Sequence, residues 1–81
     1  MNVVLSSKAV KYLKTLNEPA KSRIKRALQK LEVEPPQGGI ISLSGRNGFR
    51  LRVGDYRVLF GIVENVIAVE EIALRDKAYR R

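Results

Sequence analysis

Three arginines, Arg50, Arg52 and Arg57, lie close together in a stretch where apolar and polar residues alternate. Gly54-Asp55 between them fits a two-residue hairpin loop, with glycine at the first central position of a type II′ turn. That loop pairs Arg52 directly with Arg57, and alternation then places all three arginines on one face of a sheet. Like charges opposed across two strands are destabilising, and no acidic residue of these strands shares the face.

A bound anion would relieve this repulsion. Arginine suits phosphate, because its planar guanidinium binds two phosphate oxygens at once and keeps its charge at any ordinary pH. The pattern therefore favours a phosphate-binding site. The alternative is that the arginines bind no anion and that their repulsion is too small to be selected against.

The composition limits the chemistry further. The 81 residues contain no His and no Cys, which excludes a zinc site, a Cys or His nucleophile and imidazole acid–base catalysis. Catalysis would have to come from Lys, Arg, Tyr, Ser or carboxylates. The net charge of +8 favours phosphate polymers, anionic membranes or an acidic protein as partners, and the alternative is a soluble basic protein without such a partner.

The first part of the chain predicts one strand and two helices. Asn2 to Leu5 is a short apolar run, and Ser6 and Ser7 are good N-cap residues. Two amphipathic stripes follow, and we expect Pro19 at the first position of the second helix. The stripes are formed by Ala9, Tyr12, Leu13 and Leu16, and then by Ala20, Ile24, Ala27, Leu28 and Leu31. The basic residues around the stripes are interpreted as a solvated helix face, with nucleic-acid binding as the alternative.

The second part predicts strands. Candidate strands cover Ile40 to Leu43, Phe49 to Val53, Tyr56 to Val63 and Val66 to Leu74, with turns at 45–48, 54–55 and 64–65. A two-residue Glu64-Asn65 loop pairs Ile62 with Ile67 and Phe60 with Val69. Continuing this register would bury Glu71, so we expect a β-bulge near Glu70-Glu71.

These elements predict a single α+β domain over residues 1–81. An N-terminal strand and a two-helix hairpin precede an antiparallel sheet of about four strands, with the helices on one face. The chain has no apolar run of membrane-spanning length, no signal-peptide pattern and no Cys. A cytoplasmic location without membrane contact is therefore expected.

Residues 45–60, GRNGFRLRVGDYRVLF, closely resemble the central hairpin of RelE-type toxins in the RelE/ParE superfamily. The ending Ile72-Ala73-Leu74-Arg75, followed by Ala78-Tyr79-Arg80, is similar to the C-terminal "R…Y" signature of that family. The run from Arg23 to Leu28 also matches in position and character, so the resemblance covers nearly the whole chain.

The resemblance implies the toxin of a type II toxin–antitoxin system, an endoribonuclease that cuts mRNA in the ribosomal A site. The 2′-hydroxyl attacks the adjacent phosphate, and neither metal nor cofactor is needed. Arg57 and Arg75 match arginines that contact this phosphate, and Tyr79 matches an aromatic that stacks on RNA or positions the hydroxyl. The same resemblance implies RNA binding by Arg46, Arg50, Arg52 and Arg80, with Arg52 also beside the reacting phosphate.

The chain departs from the family at Arg50 and Arg52, where lysines are common. Arginine does not give up its proton in practice and makes a poor general base. Tyr79 is then the candidate base, and the alternatives are catalysis by electrostatics and geometry alone or a purely structural tail aromatic.

The resemblance also implies partners: mRNA on the ribosome, and an acidic RelB-like antitoxin in a toxin–antitoxin hetero-oligomer. Two other functions stay open. One is a ParE-like DNA gyrase poison without nuclease activity, and the other is a plain RNA-binding module. The presence of the full set of arginines with Tyr79 favours the nuclease.

Overall fold

The computed structural model describes residues 2–33, 40–42 and 48–74. The order of elements is β1 (Asn2–Leu5), α1 (Ser7–Thr15), α2 (Ala20–Leu31), β2 (Ile40–Ser42), β3 (Phe49–Val53), β4 (Tyr56–Val63) and β5 (Val66–Leu74). This is the predicted α+β architecture, and β3, β4 and β5 have the predicted bounds. No helix in these ranges is long and apolar enough to span a membrane.

The strands form one sheet in the order β1-β5-β4-β3-β2. The pairs β2–β3, β3–β4 and β4–β5 are antiparallel, as the hairpin turns predict. β1 joins the outer side of β5 in parallel, from Asn2 opposite Val66 to Leu5 opposite Val69. The sheet is therefore mixed, with β4 in the centre, between β3 and β5.

Each helix begins where a side chain caps its first turn. The Ser6 hydroxyl accepts a hydrogen bond from the Ala9 N–H at 3.0 Å and donates one to the Glu70 carbonyl at 2.7 Å, so this cap also ties α1 to β5. Glu18 caps α2, accepting from the Ser22 N–H at 3.0 Å. Pro19 lies one residue earlier than expected, at the N-cap, because its carbonyl accepts the first helical hydrogen bond, from Arg23 at 3.1 Å.

Both helices pack on one face of the sheet. Ile24 and Leu31 of α2 are fully buried, as are Val58 of β4 and Ile67 of β5. The predicted core residues of β3 and β4 lie on this face, namely Phe49, Leu51, Val53, Tyr56, Val58 and Phe60. Strand alternation then directs the side chains of Arg50, Arg52 and Arg57 to the opposite face. Within the described residues no helix packs on that face, and we call it the helix-free face.

The two hairpin turns fix the register of the last three strands. At Gly54 φ is +58°, and among described non-glycine residues only Glu64 and Asn65 have positive φ. The first loop therefore has positive φ only at its first central residue, as the predicted type II′ turn requires, while the second has it at both positions.

A β-bulge lies at Glu70. Phe60 pairs with Val69 and Leu59 with Glu71, so Glu70 is the extra residue in β5. This confirms the expected bulge and its purpose: Ile72 returns to the core beside Val58. As a result Ala73, and not Ile72, lies opposite Arg57.

Candidate nucleic-acid interface

The β3–β4 hairpin brings three of the predicted site residues together on the helix-free face. Arg52 is directly opposite Arg57, and Arg50 is opposite Leu59. The pairing follows from the two-residue turn at Gly54 and confirms the register predicted from the sequence. Among the described strands, basic side chains occur only on β3 and β4, and all of them are arginines.

The three arginines differ in exposure. Arg52 is exposed and Arg50 is half-buried, whereas Arg57 is only 1% exposed. Arg57 lies on the predicted face, but strand alternation does not predict its burial. It occupies the central strand, and its neighbours Leu59 and Ala73 are also buried, at 8% and 6% exposure. The helix-free face thus carries a small buried patch around this guanidinium.

The guanidinium of Arg57 keeps its charge in this patch, because arginine does not deprotonate even when it is desolvated. Its Nη1 donates to the backbone carbonyl of Tyr56 at 3.4 Å, which is long for such a bond. A charge held in a poorly hydrated place acts through a lower dielectric than one at the surface, so its attraction for an anion is stronger. The exposed Arg52 beside it adds a second positive group.

The carboxylate of Glu71 lies across from Leu59 and pairs with Lys8 of α1 at 3.6 Å. This ion pair connects α1 with the second half of β5, where β1 no longer runs alongside. A cavity of about 380 Å³ opens here. It is lined by Lys8, Lys11, Tyr12, Thr15, Glu71, Ile72 and Ala73.

Tyr12 is a residue of this region that the sequence pattern identified only as part of the core stripe. Its ring meets that of Tyr56 edge to face, at a centroid distance of 6.4 Å. Burial raises the pKa of its hydroxyl, the neighbouring Tyr56 adds to the rise, and the backbone of Leu74 opposes it. Tyr12 therefore supports the start of β4 and the end of β5 together, on the helix-covered face of the sheet. Helical spacing alone does not reveal such a position.

The other predicted site residues, Arg46, Arg75, Tyr79 and Arg80, lie outside the described residues. Leu74, the last described residue of β5, pairs with Tyr56, the neighbour of Arg57 in β4. Within the described ranges, no three His, Cys, Asp or Glu side chains cluster in a way that could hold a metal ion.

The family whose model matches this chain is described as the ParE toxin of type II toxin-antitoxin system, parDE, and the match covers residues 3–79. No curated protein sequence matches.

Several solved toxin structures share the fold. The archaeal RelE–RelB complex from Pyrococcus horikoshii OT3 contains a chain 27% identical to this one, with a TM-score of 0.78, covering 99% of this chain and 97% of that one. The RelB–RelE complex from Methanococcus jannaschii matches at 24% identity and a TM-score of 0.77, over 94% of both chains. The isolated E. coli RelE toxin matches in fold, at 15% identity and a TM-score of 0.76, over 90% of this chain and 82% of that one. The chain belongs to the ParE toxin family of type II toxin–antitoxin systems, and it has the RelE-like fold of the RelE/ParE superfamily.

Proposed function

We propose that this toxin is a metal-independent endoribonuclease that cleaves mRNA in the ribosomal A site, where its action stops translation. In this reaction the 2′-hydroxyl of one nucleotide attacks the adjacent phosphate, and the 5′-oxygen of the next nucleotide leaves. Such a role places the protein in the cytoplasm, on translating ribosomes.

The observation that carries the proposal is the direct pairing of Arg52 with Arg57 on the helix-free face, with Arg50 on the same face. Folding alone gains nothing from opposing two guanidinium groups. A phosphate that gains negative charge during attack is stabilised by both, and a preorganised donor of this kind typically contributes about 10²–10³-fold to the rate.

The roles of the residues follow from their chemistry. Arg57 and Arg75 stabilise the charge that develops on the phosphate, together with Arg52. RNA is held by Arg46, Arg50, Arg52 and Arg80. None of these arginines can act as a general base, so Tyr79 is assigned the positioning or deprotonation of the 2′-hydroxyl.

We further propose an acidic, RelB-like antitoxin as the partner that holds this toxin inactive in a hetero-oligomer. The related chains from P. horikoshii and M. jannaschii were both solved as complexes with RelB. The net charge of +8 supports an acidic partner, because complementary charge accelerates association and favours the correct partner.

The decisive experiment is brief induction of the chain in cells, followed by mapping of mRNA 5′ ends across the transcriptome. We expect new ends with codon periodicity in wild-type cells, and their loss in cells that carry Arg52→Ala. Lys30→Ala is the matched control, because Lys30 is an exposed cation on α2, away from the helix-free face. Growth arrest without new mRNA ends would contradict the nuclease proposal.

The end groups test the mechanism separately. Attack by the 2′-hydroxyl leaves a 5′-hydroxyl on one product and a 2′,3′-cyclic phosphate or 3′-phosphate on the other. Single-turnover cleavage should continue in EDTA when ribosome integrity is maintained by other means. A 5′-phosphate product, or a chemical step that stops without Mg²⁺, would rule out this mechanism.

The second candidate function is poisoning of DNA gyrase, which the match to the ParE family model supports. This function requires binding to a protein and no RNA cleavage. Purified chain incubated with gyrase and supercoiled plasmid would then produce trapped DNA breaks, and transcript ends in induced cells would stay unchanged. The arginine pairing favours the nuclease over this alternative.

A further inference from the structure

A groove runs between the two helices, on the side of the molecule opposite the arginine pair. Its volume is about 210 Å³, and it is lined by Val10, Leu13, Lys14, Lys21 and Lys25. We refer to these five residues as the helix groove. Because the helices cover one face of the sheet and the arginines project from the other, the sheet separates the helix groove from Arg52 and Arg57.

The helix groove combines an apolar floor with a cationic rim. Val10 and Leu13 are one turn apart on α1 and both half-buried, so they form a shallow apolar surface that solvent still reaches. Lys21 and Lys25 are one turn apart on α2, and Lys14 faces them from α1. Three ammonium groups therefore surround a place that fits an apolar side chain.

Within the described residues, a single carboxylate lies near this rim, that of Glu18. From Ser7 to Leu31 the chain has eight Lys and Arg residues but one acidic residue, Glu18. Hydrogen bonds from Ser22 lower the pKa of the Glu18 carboxylate, and the charges of Lys21 and Lys25 lower it further. One carboxylate faces three lysines, so the rim keeps a net positive charge. In these ranges, Lys14, Lys21 and Lys25 form no salt bridge.

The choice of cation differs between the two sides of the molecule. Arg50, Arg52 and Arg57 on the sheet offer the planar fork that recognises phosphate, whereas the rim of the helix groove consists of lysines alone. Lysine carries a point charge on a flexible side chain, which can pair with carboxylates in many arrangements. A phosphate backbone would gain nothing from contact with the apolar floor, which suits a leucine or isoleucine side chain.

We propose that the helix groove is the docking site for an acidic segment of a partner protein, which inserts an apolar side chain between Val10 and Leu13 and places carboxylates beside the three lysines. The inference rests on the proposed function, which supplies the acidic antitoxin as this partner. Since the groove and the arginine face lie on opposite sides of the sheet, the segment binds without occupying the RNA site. Docking there is therefore compatible with RNA bound on the other side.

The test uses the purified chain and a fluorescein-labelled peptide of about 12 residues made of leucine and glutamate, with the leucines at helical spacing. A scrambled peptide of the same composition tests whether binding requires leucines at helical spacing, as contact with the apolar floor would. The groove variant is Lys21→Glu with Lys25→Glu. Its matched control is Arg26→Glu with Lys30→Glu, which has the same charge change and spacing on α2 but lies outside the groove.

We expect the groove variant to weaken peptide binding by roughly 10-fold or more, and the control pair to weaken it by less than about threefold. The scrambled peptide should bind more weakly than the helical one, and an RNA oligonucleotide should not displace the peptide. If a variant fails to fold, amide NMR shifts of the wild-type chain give the answer, because the peptide should perturb Val10, Leu13 and Lys21.

Three results would overturn the inference: equal loss in both double variants, equal binding of the scrambled peptide, or displacement of the peptide by RNA. The last would identify the helix groove as a nucleic-acid surface. The measurement needs no ribosome and no cleavage, so its failure can be distinguished from failure of the nuclease proposal, which the mapping of mRNA ends decides.

Discussion

Arg52 and Arg57 lie directly opposite each other across β3 and β4, yet Arg52 is exposed while Arg57 is 1% exposed. The two residues therefore meet different requirements. The side chain of Arg57 fills space within the fold and carries a fixed charge, whereas Arg52 contributes charge with little packing. Truncating Arg57 should therefore lower both stability and activity, whereas truncating Arg52 should lower activity with little effect on stability.

At Arg57 the size and the charge of the side chain can be varied independently. Arg57→Ala removes a buried side chain and should lower the free energy of unfolding by roughly 2–4 kcal/mol, in addition to abolishing toxicity. Arg57→Met keeps most of the volume without the charge, so it should lose less stability than Arg57→Ala and still be non-toxic. Urea denaturation and growth assays check both variants. A toxic Met variant would exclude a role for the charge.

Arg52→Ala should leave stability nearly unchanged, within about 0.5 kcal/mol, because the side chain is exposed. Single-turnover mRNA cleavage on programmed ribosomes should slow by about 10²–10³-fold if Arg52 stabilises the reacting phosphate. Lys30→Ala, which removes an exposed cation from α2, serves as the control and should cleave at the wild-type rate. Similar rates in both variants would mean that Arg52 contributes general charge only.

Ser6→Ala should destabilise the fold by about 2 kcal/mol, because Ser6 both caps α1 and donates to the Glu70 carbonyl. Ser7→Ala is the natural comparison, since Ser7 is exposed, and it should change the free energy of unfolding by less than about 0.5 kcal/mol. Urea denaturation of the two variants provides the measurement. Equal stability would show that the contact with the bulge is not needed.

Alkaline conditions should destabilise the protein through Tyr12. Burial raises the pKa of this phenol above its ordinary value of 10.0, so the unfolded chain ionises first as the pH rises. The contribution of Tyr12 to stability is complete below that value and is lost as the pH rises through the higher pKa of the folded state. Denaturant midpoints measured on both sides of pH 10 should fall more steeply for wild type than for Tyr12→Phe. Parallel slopes would contradict this account.

Tyr79→Phe tests the proposed base. The hydroxyl is lost while the ring remains, so cleavage should slow by something like 10²–10⁴-fold with RNA binding retained. Single-turnover rates at saturating toxin separate the chemical step from binding. An unchanged rate would leave electrostatic stabilisation as the main source of catalysis.

Much of the sheet could be predicted because its determinants are local. Gly54-Asp55 and Glu64-Asn65 mark two short loops, and the alternation on either side determines the bounds of β3, β4 and β5. Even the bulge was predictable, since burying Glu71 would be too costly.

Other features depend on residues distant in sequence. The parallel pairing of β1 with β5 joins Asn2 to Val66, and no local pattern reveals it. Alternation assigns Arg57 to a face but cannot say whether that face is covered, so its burial was missed. Arg75 and Tyr79 lie beyond the described part of the sheet, and their roles stay predictions.

The pairing of β1 with β5 has a consequence for the order of events during synthesis. The two strands lie at opposite ends of the described chain, so β1 leaves the ribosome long before β5 is available to pair with it. The strand that flanks Arg57 on its second side is likewise β5, which is made after all the other described elements. The buried patch around Arg57 is therefore assembled late, and a partly synthesised chain exposes α1 and α2 before it can present a finished arginine site. An antitoxin that recognises the helices would meet them first.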